Sequence, residues 1–189
     1  PLRILRIGGR WIVGKSLRHE LVGRGQALVA GLREGLARAG VPLLLSTPMT
    51  DLVVEQGRVV GVDIESDGQA RTLHARHGVI ITSGGFEHNE PMRTKYQRQP
   101  IGTQWTVGAT GNTGDGIRIG EAVGAALEYM DDAWWGPSIP LPRGPWFALA
   151  ERSLPGSLMI NDRGQRFFNE SAPYVDAVHS MYGGPRGRG

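Results

Sequence analysis

Residues 82–86, Thr-Ser-Gly-Gly-Phe, form a loop whose main chain could bind a polar ligand. They follow the apolar run 78–82, and in open α/β sheets ligands bind outside the carboxyl ends of the strands. Because two glycines place no Cβ in the way, the backbone amides could approach a phosphate or a sugar-alcohol chain closely. A tight turn from strand to helix would use the same residues, so this loop alone leaves both interpretations open.

A second glycine-rich loop, residues 108–116, opens a predicted helix and carries four glycines in nine residues. Asn112, Thr113 and Asp115 are each common helix N-cap residues, so capping is one interpretation of this loop. The glycines exceed what a cap needs, and a helix N-terminus approached by bare backbone binds polar ligands well. The composition therefore favours a ligand site, in which Asp115 could accept hydrogen bonds from sugar-alcohol hydroxyls.

A third segment, residues 156–170, predicts a strand, a tight turn at 162–164 and a returning strand. Asn169 and Glu170 end it as a polar pair that a hairpin alone does not require, and Tyr174 follows them. This tyrosine could exchange a proton with a ligand, or it could lie in the core with its hydroxyl hydrogen-bonded. The aromatic residues of this region suit an apolar ligand: Trp134, Trp135, Trp146, Phe147 and Tyr182.

The elements that must position these loops follow from the spacing of apolar residues. Residues 23–40 repeat apolar side chains at helical spacing and stop at Gly40, which indicates an amphipathic helix lying on a sheet. Two apolar runs, 41–46 and 78–82, predict buried strands. Between them, alternating residues and two glycine-containing turns predict an antiparallel meander with strands at 51–55, 58–65 and 69–76. This order is typical of the second half of a doubly wound dinucleotide-binding domain, although no strand here leads into G-x-G-x-x-G.

Composition excludes several classes of function. The 189 residues include no cysteine, which rules out disulfides, thiolate catalysis and cysteine-ligated zinc or iron–sulfur sites, and no metal site is predicted. No stretch reaches the length of a membrane span, and residues 1–10 lack the apolar core of a signal peptide. The whole chain has 21 basic and 18 acidic residues, a net charge of only +3. The Arg-Gly tail at 184–189 is therefore weak support for nucleic-acid binding. We expect no nucleic-acid partner and no integral membrane segment.

Three groups of residues occur in a fixed order along the chain. They are Gly84-Gly85-Phe86 with Asn89 and Met92, then Thr113-Gly114-Asp115-Gly116, then Ile160-Asn161 with Gly164, Arg166-Phe167 and Asn169-Glu170. In this order they resemble flavoproteins of the fumarate reductase and 3-ketosteroid dehydrogenase superfamily, over about residues 23–182. The resemblance implies an α/β fold. It consists of a partial Rossmann-like FAD-binding domain with an antiparallel β-meander at 1–132, joined to the start of an α+β catalytic, capping domain at 133–189.

The resemblance also implies FAD as the cofactor, and its contacts carry over one position at a time. Met49 matches a position whose backbone reads the adenine edge, and Asp115 matches an acid that contacts the cofactor. Residues 82–85 match an Ala-Thr-Gly-Gly turn along the FAD, although this chain has Ile-Thr-Ser at 81–83 in place of Ala-Thr. The cofactor-binding residues implied in this way are Met49, Thr82, Ser83, Gly84, Gly85 and Asp115.

Residues that would bind the substrate distinguish the branches of the superfamily. Members that reduce fumarate carry His-Pro-Thr after the second glycine loop and an arginine shortly after Asn-Glu; residues 133–138 and 171–176 contain neither. A dicarboxylate needs such cations, whereas aromatic residues suit an apolar ketone. The string 169–174 resembles that of 3-ketosteroid Δ1-dehydrogenases, in which the tyrosine matching Tyr174 is the catalytic base. The resemblance thus implies Δ1-desaturation of a 3-ketosteroid, in which hydride leaves C1 for flavin N5 and Tyr174 takes the C2 proton.

Other functions stay open from sequence. A fumarate- or urocanate-type flavin reductase is one alternative, and a truncated flavin-binding module without activity is another. In the family, the ketone-polarising groups and the pyrophosphate-binding glycine loop match no part of these residues. We therefore expect the 189 residues alone to lack dehydrogenase activity and to bind FAD weakly or not at all. A cytoplasmic location, at most peripheral to a membrane, is expected; the particular steroid, the double bond, the electron acceptor and the oligomeric state stay open.

Overall fold

The structure, a computed structural model, describes residues 2–17 and 22–183. The Arg-Gly tail at 184–189 therefore lies outside the described residues. By its internal contacts the chain divides into two compact units, Pro1–Pro48 and Met49–Gly189. The division into a FAD-binding domain and a catalytic domain near residue 132 is a separate matter and stays a prediction.

The first unit contains two helices, α1 (Leu2–Ser16) and α2 (Arg24–Arg38). α2 confirms the helix predicted from the apolar spacing at 23–40. No helix is predicted for α1, because it contains the Gly8-Gly9 pair and glycine is a poor helix former. The sheet expected beneath α2 is not seen within this unit, where α2 buries none of its residues.

Gly40 ends α2 as its position in the sequence predicts. Its φ is +66°, in the left-handed region that glycine adopts at low cost. The amide of Gly40 donates to Ala37 O at 3.2 Å, and the amide of Val41 donates to Leu36 O at 3.0 Å. These two bonds make a Schellman cap, which satisfies carbonyls at the end of the helix.

The second unit begins with the predicted meander, β1 (Met49–Glu55), β2 (Arg58–Ser66) and β3 (Gln69–His74), which pair antiparallel in that order. Each connection has two residues, both with positive φ: 50° and 76° in the first turn, 52° and 71° in the second. Type I′ turns require this conformation at both central positions, and their twist matches that of the flanking strands. The meander is therefore confirmed, with both turns where the sequence places them.

The two strands predicted to be buried, 41–46 and 78–82, are not formed, so those predictions were wrong. Both segments pair with no strand among the described residues, and Ile80 in the second is 90% exposed. An apolar, β-branched run becomes a central strand only when neighbours on both sides complete its hydrogen bonds. Within the described residues, the only sheets are the meander and a two-stranded hairpin.

The remaining elements of the second unit are short: α3 (Glu90–Tyr96), α4 (Asp115–Ala122), β4 (Ser138–Leu141), β5 (Gly144–Phe147) and α5 (Tyr174–Met181). The hairpin predicted at 156–170 is reduced to one antiparallel bridge between Ile160 and Arg166. No helix among the described residues has the length and apolar character needed to cross a membrane. The small core is mostly apolar: Ile64, Phe86, Met92, Trp135, Ala148, Ala177 and Val178.

Candidate functional site

The two glycine loops singled out from sequence lie side by side. The amide of Gly114 donates to Gly85 O at 3.0 Å, and the amide of His88 donates to Asn112 O at 3.0 Å. The Asn89 side chain adds a bond from Nδ2 to Thr113 O at 2.8 Å, while its Oδ1 caps α3. The structure thus brings the loops at 82–86 and 108–116 together, as a shared cofactor site requires.

Close packing between the loops explains several of their glycines. Gly84 has a φ of +86°, and a Cβ on it would lie 2.3 Å from Asn112 Oδ1. A Cβ on Gly116 would lie 2.2 Å from Ser83 Oγ. Asn112 is fixed in turn by a bond from its Nδ2 to Glu87 Oε1 at 2.6 Å. These glycines are therefore needed by the contact between the loops, as well as by any ligand that approaches them.

A cleft of about 710 Å³ opens beside the first loop. Gly84 and Gly85 form part of one wall, and aromatic side chains form much of the rest. Two of these aromatics, Trp134 and Tyr129, are 94% and 83% exposed, so their ring faces are free to contact a ligand. The aromatic lining residues are Phe86, Trp105, Tyr129, Trp134, Trp135 and Phe147.

The turn at 82–86 carries free hydrogen-bond donors. Among the described residues, none of its amide N–H groups has a backbone acceptor, although Phe86 O and Gly85 O both accept. Backbone donors seldom stay unpaired in a folded protein unless water or a ligand takes them. Bare amides on one side and aromatic rings on the other fit a flavin cofactor, whose ring is flat and whose polyol and phosphates accept hydrogen bonds.

Asp115, another implied cofactor residue, lies in the second glycine loop, which contacts this turn. Asp115, the first residue of α4, is exposed and accepts from Thr113 Oγ1 at 2.7 Å and from the Arg118 guanidinium. These two hydrogen bonds lower the pKa of its carboxyl group, so it is ionised at neutral pH. Its role as a helix cap is not borne out, since the N-cap is Gly114 and no side chain bonds there.

Met49 and Thr82 are not among the lining residues of the cleft. Met49 is the first residue of β1 and lies outside the cleft lining, although β1 contacts α4. Thr82 is exposed and begins the turn whose glycines line the cleft. Of the implied cofactor residues, Gly84 and Gly85 line the cleft. Ser83 contacts Gly116 next to Asp115, and Met49 lies on β1; Ser83, Asp115 and Met49 are not lining residues.

Tyr174 stands at the start of α5 and is 36% exposed. Its ring packs edge to face on Phe147, with centroids 5.9 Å apart and planes at 80°. Phe147 lines the cleft, and it also lies against Gly136, where an added Cβ would overlap its ring. The predicted base is therefore not itself a lining residue of the cleft, but it contacts one of the lining residues, Phe147.

Two further polar residues of the cleft region escape sequence analysis. Asp132 lines the cleft, and its Oδ1 lies 2.9 Å from His179 Nε2, although 47 residues separate them in the chain. Neither residue belongs to a recognisable motif, so no local signal could have paired them.

Of the polar pair Asn169 and Glu170, it is Glu170 that holds the 156–170 segment together. Glu170 is buried, and its Oε1 accepts from the amide of Met159 at 3.0 Å. Arg166 donates to both carboxylate oxygens, from Nε at 3.2 and 3.0 Å, and Arg152 donates to the Glu170 carbonyl. The bonds from Arg166 and from the amide of Met159 hold the pKa of Glu170 at about 2. Glu170 therefore closes the 156–170 segment through side-chain bonds in place of a strand ladder, whereas Asn169 Oδ1 accepts from the amide of Ser171 at 3.0 Å.

This depressed pKa predicts an acid-sensitive contribution to stability. The contribution of Glu170 to the free energy of unfolding is complete above its ordinary pKa of 4.5 and is lost as the pH falls towards 2. Glu170→Gln is expected to lower the denaturation midpoint at pH 7 and to flatten its decline between pH 4.5 and 2, measured by circular dichroism. Glu65→Gln, at an exposed strand position, is the control, and an equal pH dependence in both variants would contradict the assignment.

A model of the FAD binding domain family matches residues 9–189 of this chain. Over its whole length the chain is 58% identical to a 3-oxosteroid 1-dehydrogenase of Mycolicibacterium smegmatis, of which it covers 34%. The chain thus spans about a third of the length of the curated relatives it matches.

Two solved structures are similar to it. One is a 3-ketosteroid Δ1-dehydrogenase from Sterolibacterium denitrificans in complex with 1,4-androstadiene-3,17-dione, with a TM-score of 0.84 and 41% identity over 92% of this chain and 33% of that one. The other is a 3-ketosteroid-Δ4-(5α)-dehydrogenase from Rhodococcus jostii in complex with 4-androstene-3,17-dione, with a TM-score of 0.62 and 25% identity over 80% and 29%. These matches confirm the predicted fold class. The chain belongs to the FAD binding domain family, which confirms FAD as the predicted cofactor.

Proposed function

We propose that the protein to which this chain belongs is a flavin-dependent dehydrogenase that introduces the Δ1 double bond into a 3-ketosteroid, with Tyr174 as the base. One observation carries the proposal: a cleft with a bare glycine turn on one side and aromatic rings on the other, with Tyr174 packed against its Phe147 wall. Similarity over the whole chain to 3-oxosteroid 1-dehydrogenases supports it.

The chain's own residues divide the work between binding and proton transfer. The amides of residues 82–86 would bind the cofactor, which when bound supplies the acceptor for the hydride that leaves C1 of the steroid. Trp134 and Phe147 would contact the flat, apolar ring system and exclude water from it. Tyr174 Oη, as the phenolate or while it passes its own hydroxyl proton on to solvent, would take the C2 proton, and the electrons of that C–H bond become the new C1–C2 π bond.

Charge in the cleft argues against a dicarboxylate substrate. The one arginine that lines the cleft, Arg93, is buried and already bonded, with Nε to Gln97 Oε1 at 3.0 Å and Nη1 to Glu87 O at 3.2 Å. Two carboxylates would need free cations in suitable positions. The cleft therefore favours an apolar ketone as the substrate.

As a separate proposal, we place the protein in the cytoplasm, at most peripheral to a membrane. Its electron acceptor is left open.

The test is a dehydrogenase assay with the protein expressed from its whole gene. We expect turnover of a 3-ketosteroid that is saturated at C1–C2, coupled to a dye acceptor, and no reduction of fumarate or urocanate by a reduced dye. With a 3-keto-4-ene steroid as the substrate, formation of the 1,4-diene, seen by its ultraviolet absorbance, identifies Δ1 chemistry. Dicarboxylate reduction without steroid turnover would overturn the proposal, and a yellow protein inactive on both would identify a flavin-binding module without activity.

A further inference from the structure

The carboxylate of Asp132 collects three hydrogen bonds on one oxygen. Oδ1 accepts from Trp135 Nε1 at 2.5 Å and from the Ala133 amide at 2.9 Å, and it lies 2.9 Å from His179 Nε2. Because a carboxylate only accepts, His179 Nε2 carries the proton in this contact. The three donors come from the cleft segment 132–135 and from α5, so Asp132 joins the two.

His179 lies on the same short helix as Tyr174. The helix α5 begins at Tyr174 and buries Ala177 and Val178 against the rest of the unit. Apolar burial of this kind is not directional, so it constrains the rotation of an eight-residue helix about its own axis less than a directional contact does. A hydrogen bond to a carboxylate is directional, so the one from His179 to Asp132 restrains that rotation.

Partial burial and the charge of Asp132 both strengthen the hydrogen bond between His179 and Asp132. The His179 side chain is 17% exposed and that of Asp132 is 43% exposed, so both are partly shielded from water. Burial alone would raise the pKa of Asp132, but the hydrogen bonds from His179, the Ala133 amide and Trp135 outweigh it and lower that pKa. Asp132 is therefore an anion at neutral pH, and removing its partner would leave a partly buried charge unpaired.

A second contact ties the end of the helix to the same wall. The Tyr182 ring lies 6.2 Å from Trp135, centroid to centroid, and its hydroxyl donates to Pro100 O at 2.8 Å. Trp135 thus contacts both Asp132 and the chain that follows α5. The wall of the cleft and the orientation of α5 are set by one connected group of side chains.

We propose that Asp132 and His179 are positioning residues, which orient α5 so that the Tyr174 hydroxyl faces the bound substrate. This inference rests on the proposed function, because Asp132 and His179 would affect the reaction rate only by orienting Tyr174, the proposed base. Displacing a reacting group by about 1 Å can cost about 100-fold in rate even when every catalytic atom is present. The pair should therefore affect kcat more strongly than KM.

A double-mutant cycle on the protein expressed from its whole gene tests this. His179→Ala is expected to lower kcat for the 3-ketosteroid by about 10- to 100-fold, with KM changed by less than about threefold. In a Tyr174→Phe background the same change should lower kcat by less than about twofold, because the group it orients is gone. His179→Gln keeps an N–H donor near Nε2 and should recover much of the loss.

The controls separate positioning from a general loss of structure. His77→Ala, at an exposed position of the same unit, is expected to leave kcat unchanged in both backgrounds. Where His179→Ala fails to fold, Asp132→Asn serves instead, and the same non-additivity with Tyr174→Phe is expected. Equal losses in both backgrounds would overturn the inference and leave the proposed function standing. An unchanged kcat in Tyr174→Phe alone would overturn both.

Discussion

Replacing Tyr174 with phenylalanine is expected to lower kcat for steroid Δ1-dehydrogenation by about 10²- to 10⁴-fold, the usual contribution of a positioned acid or base. The ring is retained, so its edge-to-face contact with Phe147 at 5.9 Å is retained too. Only the hydroxyl that would take the C2 proton is lost. Steady-state kinetics with a 3-ketosteroid and a dye acceptor, on the protein expressed from its whole gene, measure the effect.

The fate of the steroid C2 proton gives a sharper readout than rate alone. Exchange of C2 hydrogen with deuterated water, in the absence of an acceptor, should fall in the Tyr174→Phe variant together with kcat. Tyr129→Phe is the matched control, because Tyr129 also lines the cleft and is 83% exposed. A kcat loss of equal size in both variants, or in neither, would contradict the assignment of Tyr174 as the base.

Local turn chemistry is the part of the fold that the sequence predicts well. Both turns of the meander have glycine as their second residue, which adopts positive φ at low cost, and in the second turn Asp67, which also tolerates positive φ, precedes it; both turns adopt the two-residue form. Gly40 ends α2 for the same reason, since the cap depends only on residues within six positions of it. Features of this kind depend on residues that are neighbours in the chain, and a sequence displays those directly.

The predicted strands at 41–46 and 78–82 depend on partners that are not neighbours in the chain. An apolar run indicates burial, but whether it becomes a strand depends on which other strands lie beside it. The error at α1 is the reverse: a helix forms where none was predicted. The glycine pair in this segment lowers its helix propensity, yet the segment is helical. The sequence pattern therefore indicates whether a segment is apolar enough to be buried more reliably than it indicates which other segment it hydrogen-bonds to.

In the candidate site, too, some features can be recognised from sequence and others only from the structure. The glycine loops can be recognised from sequence because each combines residue types that a ligand-binding turn needs, and the structure places them together. The reason for each glycine is visible only in space, where Gly84 meets Asn112 and Gly116 meets Ser83. The contact between Asp132 and His179 crosses 47 residues and has no motif, so only the fold could bring it to notice.

The second large effect is expected at Gly84, where alanine should lower the affinity for FAD by about 10- to 100-fold. Its φ of +86° costs a residue with a Cβ about 1–2 kcal/mol. In the FAD-free variant the turn would relax to relieve this strain, and FAD binding would have to restore it, at about tenfold in affinity for each 1.4 kcal/mol. The new Cβ would also lie 2.3 Å from Asn112 Oδ1, so Asn112 must move and give up its bond to Glu87 Oε1. Both changes displace the turn whose amides would bind the cofactor.

Titration of the FAD-free form of the protein expressed from its whole gene, with FAD and followed by flavin fluorescence, measures this affinity without any need for turnover. Gly111→Ala is the matched control, because Gly111 lies in the facing loop, has no positive φ and has open space around its Cα. The double variant Gly84→Ala with Asn112→Ser removes the clash but keeps the backbone strain, so it should recover part of the affinity. If Gly84→Ala and Gly111→Ala bind FAD equally well, the turn at 82–86 is not a cofactor contact, and the aromatic wall alone would have to account for flavin binding in this cleft.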